Sequence, residues 1–234
     1  CHILNSADCT TVTVIDSEIL SVDNIGRHLL GFNALYKHKV EGVKEYLKMI
    51  RPEQNISVFT DSIESVLSKD VSLINKNDCL FLATGNIMSE LFIRKYQEER
   101  LLTIPVFIIW LEPSGLAGHM VYLNPNSDLS QISLYSDQNT YLYKYNLIHK
   151  DEYNHSQNKF IKRDAGCNGA YTLYSNNDVM AFLSAIYPKI NTLIRQKDSK
   201  SHCYRWNGDI SLAKKYQIKL VNKVASFSLE EFSL

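Results

Sequence analysis

Three residues in the middle of the chain have the types and the order that thiol catalysis uses: His119, Asp137 and Cys167. Only the thiolate attacks, so a nucleophilic cysteine needs an imidazole to take its proton and a third group to orient that imidazole. His119 opens a strand-like run (GHMVYLN), Asp137 closes a second (QISLYSD), and Cys167 lies in AGCNGAYTLY, which reads as the mouth of a helix. Free amides and the dipole at a helix N-terminus lower a thiol's pKa. Gly166 and Gly169 flank Cys167 and permit a tight turn with close approach by a substrate backbone. The amides of Cys167 and Asn168 would then receive an oxyanion.

Competing residues exist. Asp128 is another acid, but it lies in the turn-rich NPNSDLS loop and reads as a turn residue. If HMVYL and QISLYS pair as a hairpin across that loop, the start of one strand lies beside the end of the other, and His119 meets Asp137. Cys79, in the apolar CLFLA, lacks flanking glycines and reads as a buried structural thiol. Cys9 sits in the β-branched run DCTTVTVI, and Cys203 follows His202 in a loop with no second ligand pair for a metal.

The elements that would position these groups follow from hydrophobic period and turn signals. Helical spacing covers Ile25 to about Tyr36 and continues from Val40 to Ile50, where Pro52 stops it. Ile56–Phe59 is a short strand, and Asp61 caps a helix over Ile63, Val66 and Leu67. CLFLA reads as a buried strand or a helix start, followed by a helix from Ile87 to about Arg100. Strands follow at 104–111, 119–123, 131–136 and 140–148. A helix spans Cys167 to Ile186, Pro188 ends or kinks it, a further helix runs Ile190–Gln196, and SHCYRWNGD (201–209) is a loop.

These elements imply an α+β fold: a small antiparallel sheet flanked by helices in one domain. The strand, helix, strand alternation between 56 and 111 leaves α/β as the alternative, which the hairpins after 104 oppose. Within the domain, 1–100 is a mixed helical region that binds substrate, 101–200 the catalytic core and 201–234 a C-terminal extension.

The 234 residues carry 25 basic and 25 acidic side chains, a balance that speaks against a nucleic-acid partner. No apolar run approaches the roughly 18 residues of a membrane span. Five cysteines at positions 1, 9, 79, 167 and 203 show no close pairing, which suggests a reduced, cytosolic setting. No secretory signal opens the sequence, and a start at Cys1 without Met suggests a fragment or a processed product.

At these residues the chain resembles the ubiquitin-like-protease clan of cysteine peptidases, whose members include SUMO and adenovirus proteases and bacterial effectors acting on ubiquitin or Atg8. VFIIWLEPSGLAGHMVYL resembles the approach to that clan's histidine, QISLYSDQN its acidic strand, DAGCNGAYTLY its nucleophile region, and YNHSQNKF the stretch before it. The resemblance implies His119 as general base, Asp137 as its orienter, Cys167 as nucleophile, and Gln157 or Asn168 as oxyanion donor. It departs from the clan pattern at Met120, at Ser136-Asp137 and at Cys167-Asn168-Gly169. It implies an isopeptidase that removes ubiquitin or a ubiquitin-like modifier, a bacterial effector secreted into a host cell, with no metal or cofactor. An acetyltransferase of the same fold is the enzymatic alternative, although no Lys/Arg cluster marks the inositol-phosphate site it needs. A non-enzymatic interaction module is the other.

Overall fold

In the computed structural model the described residues are 9–22, 25, 28–137, 142–155, 160–163, 170–172, 174–196 and 200–234. They divide into two units, Cys1–Ile74 and Asn75–Leu234. In the first unit the β-branched run TVTVI forms β1 (Thr11–Ile15), paired in parallel with β2 (Asn55–Phe59) so that Val12 meets Ile56 and Val14 meets Val58. Between them lies α1 (Lys39–Ile50), which buries Val40, Val43 and Leu47 at helical spacing. Leu47, Leu20, Leu30, Ala34 and Ile56 form the core under this strand–helix–strand unit. Gly42 has no Cβ because Leu30 Cδ1 would stand 2.5 Å from it. A shorter helix, α2 (Ile63–Lys69), is capped by Ser62, whose Oγ accepts from Ser65 N at 3.2 Å.

The second unit is built on a five-stranded sheet in the order β11 (Leu229–Ser233), β10 (His202–Asn207), β5 (Ala117–Leu123), β4 (Val106–Leu111), β3 (Leu80–Leu82). β3 and β4 are parallel and joined through α3 (Ile87–Glu98), while the remaining pairs are antiparallel. Residues opposite one another on paired strands share a face, so Trp110, His119, Arg205 and Glu230 form one row across four strands. The opposite face carries Gly118 and Trp206, and Phe182 of α5 (Asn176–Gln196) packs there. At Gly118 a Cβ would stand 2.4 Å from the Phe182 ring. The Trp110–His119 face is crossed by β7 (Leu142–Tyr143), by the chain to Ile148 and by α4 (Lys150–His155). β6 (Tyr135–Asp137) pairs with β7, β8 (Ile161–Arg163) with β9 (Ala170–Thr172), and α6 (Ser211–Lys215) packs Ala213 against Leu116 and Ile148.

The small antiparallel α+β fold is therefore corrected to a five-stranded mixed sheet in the second unit and a two-stranded parallel sheet in the first, each with one parallel strand–helix–strand connection, of which β3–α3–β4 falls within the alternation between 56 and 111. Three local expectations change with it. HMVYL pairs with β4 and β10, not with QISLYS: the strand just before it takes one edge and β10, much later in the chain, takes the other. SHCYRWNGD is a strand, since Cys203, Tyr204 and Trp206 are buried and Arg205 meets a carboxylate across the ladder. Pro188 lies inside α5, which continues to Gln196.

Candidate functional site

His119 is fully buried in the middle of β5. Its Nε2 lies 2.6 Å from Glu112 Oε1, and its ring stacks on Trp110 at 4.6 Å between centroids. Glu112 is equally committed: its two oxygens accept the backbone amides of Leu147 at 2.7 Å and Ile148 at 2.8 Å, and Tyr153 donates to Oε2 at 3.5 Å. Burial, and then the Glu112 charge, push the Tyr153 hydroxyl well above its usual pKa and keep it a donor. The cluster is a buried clasp that fastens the chain at 147–148 to the sheet. The orienting acid beside His119 is Glu112, seven residues earlier, and its place at the end of β4 is what brings it there.

Asp137 closes β6 opposite Leu142 of β7. Cys167, Gln157 and Asn168 lie outside the described residues. Ala170–Thr172 is strand and α5 begins only at Asn176, so the helix expected to start at Cys167 starts later. Asp128 is a turn residue, its Oδ1 accepting from Ser130 N at 3.2 Å. Cys203 is a structural thiol that burial pushes up to about 12. Among the described residues no group of three or more His, Cys, Asp or Glu side chains is placed to hold a metal ion.

A different cluster sits at the carboxyl end of the parallel β1–β2 pair, the end at which open α/β sheets bind ligands. Asp16 follows β1 directly, its amide donating to Phe59 O at 3.2 Å as the ladder closes. Its Oδ1 accepts from Glu18 N at 2.8 Å. Lys39 is the first residue of α1, its amide donating to Glu18 O at 2.9 Å and its ammonium paired with the Glu18 carboxylate. An ammonium there opposes the helix dipole, and the Lys39 side chain is only 12% exposed while its partner Glu18 is 67% exposed. Cation and helix N-terminus thus converge, the combination that suits a phosphate. His28 completes the group: burial, and then the Lys39 charge, hold its imidazole below the ordinary value, against Asp16 and Glu18. Sequence reading passed over all four residues. The available signal was an acid ending a β-branched run, TVTVID, before a helix.

A family model described as ThiF family matches residues 1–195. The chain belongs to the ThiF family. No curated protein matches the chain. Among solved structures, Escherichia coli MccB with succinimide is similar at 13% identity and a TM-score of 0.60, over 99% of this chain and 58% of that one. MccB with MccA-N7isoASN gives 0.59 at 13% identity over 99% and 59%, and selenomethionine PaaA gives 0.56 at 13% over 95% and 56%. This ThiF-family chain thus spans somewhat over half the length of those structures, and at such identities they bear on its fold alone.

Membership in the ThiF family keeps the coarse expectation, an enzyme, and removes the finer one, a cysteine peptidase with a His-Asp-Cys triad. The ubiquitin-like-protease resemblance is overturned by the family match and the mixed-sheet fold, and with it fall the isopeptidase, the effector reading and the ubiquitin or Atg8 substrate. The acetyltransferase and the non-enzymatic module find no support either. No helix among the described residues is long and apolar enough to cross a membrane.

Proposed function

We propose that this chain carries the nucleotide-binding part of an ATP-dependent adenylyltransferase of ThiF type. Such an enzyme transfers AMP to an acceptor: an acceptor oxygen attacks the α-phosphorus of ATP, a new P–O bond forms, and the bond to pyrophosphate breaks. The observation that carries this reading is the placement of Asp16 and Lys39 together, at the carboxyl end of a parallel strand–helix–strand unit inside the ThiF match. The Asp16 carboxylate would accept from ribose hydroxyls, as an acid ending a strand does in dinucleotide-binding folds. The Lys39 ammonium and the α1 N-terminus would neutralise charge on the phosphates as pyrophosphate leaves. Glu18 holds the lysine over that end of the unit until nucleotide arrives.

ATP binding is the first test. A nucleotide at about 100 times its Kd stabilises the fold it binds by about 2.7 kcal/mol, so ATP is expected to raise the unfolding temperature of the whole chain. AMP and pyrophosphate are expected to compete for the same site. An unfolding temperature unmoved by millimolar ATP contradicts the reading. A reduced, cytosolic setting belongs to the proposal too, in keeping with the free thiols of Cys9 and Cys203.

A further inference from the structure

The balance of 25 basic against 25 acidic side chains does not hold evenly along the chain. Between Asp209 and Glu230 there is no acid, and Lys214, Lys215, Lys219 and Lys223 all fall in that interval. The interval is the connection from β10 to β11 and contains α6. Its inner side is fastened down: Ala213 and Ile218 pack with Leu116, Ile148 and Phe160, the Val221 amide donates to Leu147 O at 2.8 Å, and Lys219 O accepts from the His149 amide at 2.9 Å. Its outer side is basic and apolar together. Lys219 pairs with Asp151 at 3.1 Å, whereas Lys214, Lys215 and Lys223 pair with no carboxylate among the described residues. Beside them Tyr216 is 49%, Val221 58% and Phe227 68% exposed. Phe227 also has a φ of 58°, a backbone that bulky residues rarely adopt. Its amide donates to Gly208 O at 3.2 Å and Ser226 Oγ accepts from Ile210 N at 3.0 Å, so the turn that presents the ring is tied to the entrance of α6. The fold buries little of that ring in return for the strain, the pattern of a residue that acts at the surface.

We propose that this connection docks on an anionic lipid bilayer: the ammonium groups of Lys214, Lys215 and Lys223 meet acidic headgroups, while Phe227, Val221 and Tyr216 enter the boundary between headgroups and acyl chains. Charge complementarity selects an anionic partner, and the apolar side chains choose among anionic partners. Val221 has no ring on which a base could stack, and the interval has no arginine for bidentate phosphate contacts, so an RNA is poorly served. Apolar side chains interleaved with lysines suit a soft interface that closes around each of them; a folded acidic protein would have to supply a pocket for each. This inference does not depend on the proposed nucleotide chemistry.

Co-sedimentation of the whole chain with vesicles of about three parts phosphatidylcholine to one part phosphatidylserine tests it. Binding is expected to these vesicles, to weaken as salt is added, and to be absent with phosphatidylcholine alone. At about five-fold per lysine, the triple variant Lys214→Gln/Lys215→Gln/Lys223→Gln is expected to lose about 100-fold in partition. The three side chains are exposed, so the variant is expected to fold, which circular dichroism checks. Phe227→Trp is expected to shift its emission to the blue when the mixed vesicles are added, and Phe227→Ser to lose about ten-fold in partition while keeping the salt dependence. No binding to the mixed vesicles, equal binding by the triple variant, or an unshifted Phe227→Trp emission would each overturn the proposal. Binding of polyuridylate without binding of vesicles would assign the surface to nucleic acid and overturn it as well.

Discussion

At the scale of single residues, two buried carboxyl groups in the same unit behave oppositely. Glu112 accepts two amides and faces His119, so its loss strands donors in the interior. Removing one partner of a buried hydrogen bond costs about 1–3 kcal/mol per group left unpaired. Glu112→Ala is expected to lower unfolding stability by at least that much in urea titration, and by more than Glu112→Gln, which keeps one acceptor oxygen. Equal losses would argue against the amide clasp. Glu90, whose pKa is raised from 4.5 to about 7, binds a proton in the folded chain that the unfolded chain has released. Its contribution is fully present below about pH 4.5 and is lost as pH rises through 7, at up to about 1.4 kcal/mol per pH unit within that window. Glu90→Gln cannot titrate and is expected to flatten that slope in a stability-against-pH series. An unchanged slope would place the titration elsewhere.

At the scale of elements, the contact between β5 and α5 rests on the absence of a side chain at Gly118, where a Cβ would stand 2.4 Å from Phe182. Overpacking of this kind costs about 1–3 kcal/mol. Gly118→Ala is expected to be destabilising by that amount, with part of the loss recovered in the Gly118→Ala/Phe182→Leu pair; simple additivity of the two changes would refute the contact. Elements with a strong local period were legible in sequence: α1 from Val40, Val43 and Leu47, α3 after CLFLA, and β4 and β5 from their apolar runs. Those defined by distant partners were not. β10 reads as a polar loop because its Arg205 is made tolerable by distant partners, Glu230 on β11 and the carbonyl of Tyr145, and its Trp206 packs against Phe182 of α5. The His119–Asp137 hairpin was a reasonable local inference, but β5 had already taken β4 and β10 as neighbours, and β6 was left to β7. The same blindness hid the candidate site. Asp16 and Lys39 are 23 residues apart, and only the parallel β1–α1–β2 geometry brings them to one end.

At the scale of the molecule, a family match over residues 1–195 places the chain among the ThiF proteins, and the charged cluster after β1 is where the proposed nucleotide site lies. The mid-chain histidine, which looks catalytic by type and order, is buried against Glu112, the carboxylate that accepts the Leu147 amide. The central claim is that ATP binds the whole chain through Asp16 and Lys39, and isothermal titration calorimetry with ATP tests it most directly. Lys39 is partnered by an exposed Glu18 among the described ion pairs, and Asp16→Asn and Lys39→Gln keep most of the packed volume of each side chain, so these variants are the ones to compare, with folding checked by circular dichroism. The natural chain is expected to bind ATP with one site, and each variant to lose at least about ten-fold in affinity, or 1.4 kcal/mol. Unchanged ATP affinity in both folded variants would contradict it.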